Sequence, residues 1–291
     1  MIEITKDINE AKLVTHSGSF HPDDVFSTVL LSKIYPDVKV IRVSKVDEEY
    51  NDKIVYDIGF GKFDHHQVDA KMRNESIKYS SFGLLWKEYG LKVCDNDQEL
   101  WDRIDKKLVM QIDGIDNGNF PTIKADYELL DLDKIIDLFN NNWDSKEDND
   151  KNFYVAVVIA EEIFDALLER EKALLKAKKL VKEKCELLEG DILYLDKHMP
   201  YIEGIFDNNY QDKIKSVIFP SNRGGYAIKP LTISKDSFEL KYTFPEEYLG
   251  KRDQELQNIT GIKTAKFVHA NGFIASTDTL EDAYLLASKL K

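Results

Sequence analysis

Lys12-Leu13-Val14-Thr15-His16-Ser17-Gly18-Ser19-Phe20-His21-Pro22-Asp23-Asp24 decides the fold of this chain, because an apolar run breaks into a short polar turn and a helix start follows at once. Lys12-Leu13-Val14 reads as a strand, and Asp24 to Tyr35 carries the apolar spacing of a helix. Pro22 suits the first turn of that helix, where its missing N–H costs nothing, and Asp23 then sits beside the positive helix end. Val38 to Val43 and Ile54-Val55-Tyr56 read as two further strands. Strand, helix, strand, strand predicts an α/β fold with a mostly parallel sheet and flanking helices. His16 follows the first strand and Asp57 ends the third, at the carboxyl edge where open parallel sheets bind ligands.

The residues gathered at that edge have the chemistry of a metal centre. Four of the six histidines lie in the opening stretch and in Lys62-Phe63-Asp64-His65-His66-Gln67, with Asp57 between them. A third acidic cluster follows in Ile112-Asp113-Gly114-Ile115-Asp116-Asn117-Gly118. Trp101, Ile104, Leu108, Ile112 and Ile115 keep helical spacing, which puts Asp113 and Asp116 on one face of the last turn. Both are candidate ligands. Imidazole and carboxylate without thiolate suit manganese, magnesium, iron or zinc in a hydrolytic site rather than a structural thiolate zinc site. A pair of divalent ions about 3.5–4 Å apart needs one shared carboxylate, and this stretch has enough donors to hold such a pair.

Bulk properties set the outer limits. At 291 residues the chain exceeds the usual size of one core, so two domains are expected. No run approaches the roughly 20 apolar residues of a membrane span, and the first residues lack a basic segment followed by an apolar one, so a cytoplasmic or other intracellular protein with no membrane partner is expected. Cys94 and Cys185 stand alone, which excludes a disulfide framework and reads as two buried thiols. The formal net charge of −13 argues against broad adhesion to nucleic acid. The charge is uneven: residues 213–291 carry 12 Lys and Arg against 9 Asp and Glu, and the residues before them carry 28 against 44. Bound metal would reverse the local field, so an acidic protein can still receive a phosphodiester there.

Residues 129–150 turn acidic and asparagine-rich and read as a solvated loop and helix end. Phe153 to Leu188 reads as a long amphipathic helix with Val157, Ala160, Phe164, Leu167, Leu174, Val181, Cys185 and Leu188 on one stripe. The domain boundary is expected at its end, giving domains 1–188 and 189–291. Beyond it, 192–195, 216–219, 226–228 and 265–268 read as strands, and Thr279 as the cap of a final helix.

Taken together, the motifs around His16, Asp57, Asp64-His65-His66-Gln67 and Asp113 to Gly118 resemble the melanocyte proliferating gene family, which is related to the DHH phosphoesterases. The likeness continues in Leu249-Gly250-Lys251-Arg252-Asp253-Gln254-Glu255-Leu256, Thr260-Gly261-Ile262 and Phe267-Val268-His269-Ala270-Asn271-Gly272-Phe273-Ile274, and so covers nearly the whole chain. It departs at Asp24, where the family commonly carries glutamate, and in the shorter stretch from Asp57 to Asp64. The resemblance implies a DHH catalytic domain, a long connecting helix and a smaller α/β substrate-binding domain. It also implies a 3′-to-5′ exonuclease acting on RNA or single-stranded DNA with two divalent ions, manganese first and magnesium as the alternative. His16, His21 and Asp57 would hold one ion, and Asp23, Asp57, His65 and Asp116 the other, with Asp57 as the bridge and Asp24 outside the set.

Arg252, His269 and Gly272 are the implied substrate contacts, and Tyr226 or Phe273 reads either as a surface for a base or as a core aromatic. His66 is the candidate proton donor to the leaving oxygen, with direct ligation as its alternative, and Asp64 is read as the group that orients a histidine. A homodimer is kept open. Two other functions compete: hydrolysis of short oligonucleotides or small phosphoanhydrides at the same ions, and metal-dependent RNA binding without turnover.

Overall fold

The structure is a computed structural model that describes residues 2–120, 122 and 124–291. It divides into two compact units, Met1–Lys172 and Ala173–Lys291.

The first unit is built on a parallel four-stranded sheet in the order β1-β3-β2-β4, with β1 at Glu3–Ile4, β2 at Leu13–His16, β3 at Lys39–Val43 and β4 at Ile54–Val55. Val14 on β2 is in register with Ile41 of β3 and Val55 of β4. Leu13, Val14, Val40 and Ile41 are buried, as a sheet covered on both faces requires. The fold class is therefore the expected α/β. Helix α1, Pro22–Ile34, is buried from Pro22 through Leu31 and packs on α2 (Ser81–Val93), α4 (Met110–Asp116) and α5 (Leu132–Asp137). A helix enclosed on all sides can be apolar all round, and its two acidic residues, Asp23 and Asp24, stand in the first turn at the sheet's carboxyl edge.

The helix expected from Gln98 is α3, Gln98–Ile104, continued through a π turn at Asp105–Val109 into α4. The long helix is α6, Asp150–Glu186, and the division between the two units falls within it. Its buried stripe runs through Phe164, Leu168, Glu171 and Leu175, not through Leu167 and Leu174. The steps of four, three and four follow the true helical repeat, whereas the expected stripe kept a repeat of seven. Glu171 is accepted in that stripe because Arg103 and Lys107 both reach it, at 3.2 and 2.5 Å.

The second unit holds a five-stranded mixed sheet in the order β5-β6-β7-β9-β8, formed by Ile192–Tyr194, Ser216–Pro220, Tyr226–Pro230, Ala265–Val268 (β8) and Ala275–Thr277 (β9). Successive side chains of β6 point to opposite faces: Ile218 joins a core with Leu256 of α8 (Asp253–Thr260) and Leu286 of α9 (Leu280–Ala287). Val217 and Phe219 join a second core with Val181 and Cys185 of α6 and Ile205 of α7 (Ile202–Phe206). Thr279 caps α9, accepting from the Asp282 amide. Cys94 and Cys185 are buried, and burial pushes their thiols up to about 12 and about 11, so neither offers a thiolate. Among the described residues no helix is long and apolar enough to cross a membrane.

Candidate metal centre

The carboxyl edge of the parallel sheet opens into a cavity of about 970 Å³ lined by His16, His21, Asp57, His65, His66 and Asp116 among others. His16 is the last residue of β2. Asp57 lies just past β4, where a bridge between Tyr56 and Phe63 carries the sheet edge onward and the Asp57 amide donates to the Phe63 carbonyl. Asp57 itself is held at φ 56°, in the left-handed region that non-glycine residues rarely enter. Asp116 comes from the end of α4.

These side chains converge closely. Nε2 of His16 is 3.3 Å from Asp24 Oδ2 and 3.2 Å from Asp57 Oδ2. Nε2 of His65 is 3.1 Å from Asp57 Oδ1, 3.3 Å from Asp116 Oδ2 and 3.7 Å from Asp23 Oδ2. Three sets have donor atoms close enough to share an ion: His16 with Asp24 and Asp57; His21 with Asp23 and Asp116; and Asp57 with His65 and His66.

Two placements differ from the sequence expectation. His21, the N-cap of α1, has its ligand atom grouped with those of Asp23 and Asp116 rather than with His16 and Asp57, although its ring centroid stands 6.0 Å from that of His16. Asp24 takes the place expected of His21 beside His16. Its Oδ1 accepts the His21 amide at 2.9 Å, which turns Oδ2 toward His16 and leaves it without a hydrogen bond. Adjacent residues in a first helical turn point about 100° apart, so at a helix aimed into a cavity both can reach it. The consecutive pair Asp23-Asp24 was the signal in the sequence.

Asp113 and Asp116 separate cleanly. Asp113 is fully buried and already satisfied: it accepts from the Ser80 amide at 2.9 Å, the Ser80 hydroxyl at 2.6 Å and Arg73 Nε at 2.7 Å. Asp116 keeps Oδ2 free of hydrogen bonds. Asp64 is buried too, and orients: Oδ2 accepts the Phe60 amide at 2.6 Å, and Oδ1 stands 2.6 Å from His66 Nδ1.

The electrostatics are those of a cradle whose buried carboxylates outnumber the imidazoles facing them. Burial, and then the charges of Asp57, Asp116 and Asp24, push Asp23 well above the usual carboxylate range. Burial raises Asp24 to about 6 despite His16, and raises Asp116 despite His65. For Asp57 burial also opposes ionisation, but His16 and His65 outweigh it and hold the group at about 2. His16 loses charge to burial and regains more from Asp57 and Asp24, ending at about 9. Asp23 Oδ1, Asp24 Oδ2, Asp57 Oδ1 and Asp116 Oδ2 are all buried without a hydrogen-bond donor. Buried carboxylates of this kind are paired or bind metal, and the imidazole and carboxylate donor set fits divalent ions.

The loop between β2 and α1 is clamped from behind. Arg42, buried between the rings of Phe20 and Phe153, donates to the carbonyls of His16 at 3.2 Å and Gly18 at 2.8 Å, and pairs with Asp150 at 3.1 Å. Asn149 also donates to the Gly18 carbonyl, and Asn140 exchanges two hydrogen bonds with the Phe20 backbone. The asparagine-rich segment expected as solvated loop thus supports the ligand loop. No local pattern marks this, because the partners are more than a hundred residues apart.

In the second unit, Arg252, His269 and Phe273 line a separate cavity of about 810 Å³ with Arg223, Lys229 and Lys266. Gly272 is not among the residues lining it; at φ 70° it lies in the turn between β8 and β9, and a Cβ there would come within 3.3 Å of Leu249. Tyr226 packs on the core beside Tyr194 instead.

Comparison with known proteins finds relatives that match along nearly the whole chain. The family model MYG1_exonuc, described as Uncharacterised protein family (UPF0160), matches residues 12–290. A protein of Dictyostelium discoideum named MYG1 protein is 31% identical over 97% of this chain and 97% of its own length. A MYG1 protein of Saccharomyces cerevisiae is 29% identical over 95% and 94%, and the human MYG1 exonuclease is 26% identical over 95% and 84%. No solved structure matches significantly.

Proposed function

The chain belongs to the MYG1 family, and from that premise we propose that it is a metal-dependent 3′-to-5′ exonuclease, releasing nucleoside monophosphates from RNA or single-stranded DNA. The observation that carries the reading is the convergence of Asp57 and Asp116 with His16 and His65 on one cavity, with Asp23 and Asp24 buried within reach of the two histidines and a buried oxygen of each of the four carboxylates left without a donor. His16, Asp24 and Asp57 would hold one ion, and Asp57, His65, Asp116, Asp23 and His21 the other. When bound, a pair of divalent ions, manganese for preference, lowers the pKa of water and neutralises charge on the phosphate oxygens.

The chain's own residues do the rest. Asp57 presents one oxygen toward His16 and the other toward His65, the arrangement a shared carboxylate needs. Asp64, fixed by the Phe60 amide, accepts from Nδ1 of His66 and so directs Nε2 outward. His66 lines the cavity and is half exposed, placed to give a proton from Nε2 to the departing oxygen. Within the second unit, the Arg252 guanidinium and the His269 imidazole line a cavity with hydrogen-bond donors suited to a nucleic-acid phosphate and sugar.

The test uses metal-stripped protein and single-stranded RNA labelled at either end, with manganese or magnesium restored. A ladder shortening from the 3′ end, lost in Asp57→Asn, is expected. Absence of any cleavage with either ion would overturn the assignment.

A further inference from the structure

Among the described residues Phe60 is the one large aromatic side chain lining the metal cavity, and no part of the chemistry above uses its ring. It is 72% exposed. Exposed aromatics are ordinary by themselves, and Trp143 and Phe238 are more exposed still. Phe60 differs from those two in where it stands and how it is held. It shares a cavity wall with His16, His65 and Asp116. Its backbone is left-handed at φ 56°, directly after Gly59 at φ 86°, in a loop that already has Asp57 at φ 56°. A bulky residue in that region is strained, and such strain persists only where the surroundings fix it. The fixing contact is the 2.6 Å hydrogen bond from the Phe60 amide to Asp64 Oδ2, whose other oxygen engages His66. The loop therefore fixes the Phe60 backbone, and with it the place from which an exposed ring extends, beside the reacting edge.

We propose that Phe60 is the stacking platform for the terminal nucleobase of the strand being shortened. The proposal rests on the exonuclease reading and adds the group that seats the terminal nucleotide. A phenyl face carries no hydrogen-bonding code, so it accepts any base. The platform thereby seats terminal bases irrespective of sequence. Lys78, the only Lys or Arg among the described residues lining this cavity, leaves the base contact to the aromatic face and supplies a charge for phosphate.

The test compares two otherwise identical labelled single strands, one ending in an ordinary 3′ nucleotide and one in an abasic 3′ ribose, with manganese and with wild type, Phe60→Ala and Phe60→Trp. On the ordinary strand Phe60→Ala is expected to lower kcat/KM for the first release by roughly 5- to 150-fold, and Phe60→Trp to restore it. Wild type is expected to show the same deficit on the abasic strand, with no further loss in Phe60→Ala. The manganese concentration for half-maximal activity should not change, which separates lost stacking from a disturbed Asp64 loop. Equal losses by Phe60→Ala on both strands, or no loss on the ordinary one, would overturn the platform while leaving the exonuclease intact. A wild type that shortens neither strand would overturn the exonuclease reading, and the platform with it.

Discussion

Oδ1 of Asp57 lies 3.1 Å from Nε2 of His65, while its Oδ2 lies 3.2 Å from Nε2 of His16. One carboxylate thus joins two histidines, one at the end of β2 and one in the stretch beyond β4, and its strained backbone holds it between them. Asn is among the few residues that tolerate the left-handed region, so Asp57→Asn keeps the loop and removes the charge. It is expected to reduce metal-dependent cleavage below detection, and to lower the thermal transition of the ion-free protein without abolishing cooperative unfolding, because the Asp57 charge is paired with His16 and His65. A variant that keeps a tenth of the activity would show that the two ligand sets work without a shared carboxylate.

Asp113 and Asp116 are three residues apart and should fail in different ways. Asp113 answers Arg73 and Ser80 in a buried setting, and Asp113→Ala strands both partners. The expected cost is about 3 kcal/mol or more of stability, read from urea unfolding. Asp116→Asn leaves the fold alone and weakens manganese binding. Calorimetric titration together with unfolding would reveal the opposite pattern if the roles were exchanged.

The contrast between those two residues shows what the sequence could say. Helical spacing placed both at one helix end, but their division depends on Arg73 and Ser80, which lie 40 and 33 positions away. Strands β2, β3 and β4 were legible because buried parallel strands are apolar runs, and the ligand edge followed from where those runs stop. Strand β9 was not, since Ala275-Ser276-Thr277 is short and carries no large apolar residue. Asp24 was set aside because a family pattern has glutamate there, although the first-turn position of this aspartate brings it to His16. Phe60 carries no signal in its neighbours; only its backbone angle and the cavity single it out.

Arg42 holds three acceptors at once, the carbonyls of His16 and Gly18 and the carboxylate of Asp150. A lysine at this position keeps the charge but cannot span the three in one plane. Arg42→Lys is expected to raise the manganese concentration for half-maximal activity by about 10- to 100-fold, the usual effect of loosening groups behind metal ligands. kcat at saturating manganese should recover most of its wild-type value. Loss of kcat that manganese cannot restore would place Arg42 in maintenance of the fold as a whole.

Crowded carboxylates make the ion-free and ion-loaded proteins respond in opposite directions to one substitution. Asp24 is fully buried, and its Oδ2 has no hydrogen-bond donor. Burial and the nearby Asp57 disfavour its charge, so Asp24→Asn should leave the ion-free chain as stable as wild type or more so, by up to about 1 kcal/mol. With manganese the order should invert. An ion at a hundred times its dissociation constant stabilises the native state by about 2.7 kcal/mol, and the variant lacks one of the ligands that produce this gain. Thermal unfolding with chelator and with excess manganese reads both quantities. Equal manganese-induced shifts in wild type and variant would exclude Asp24 from the ligand set and restore the expectation that His16 shares its ion with His21.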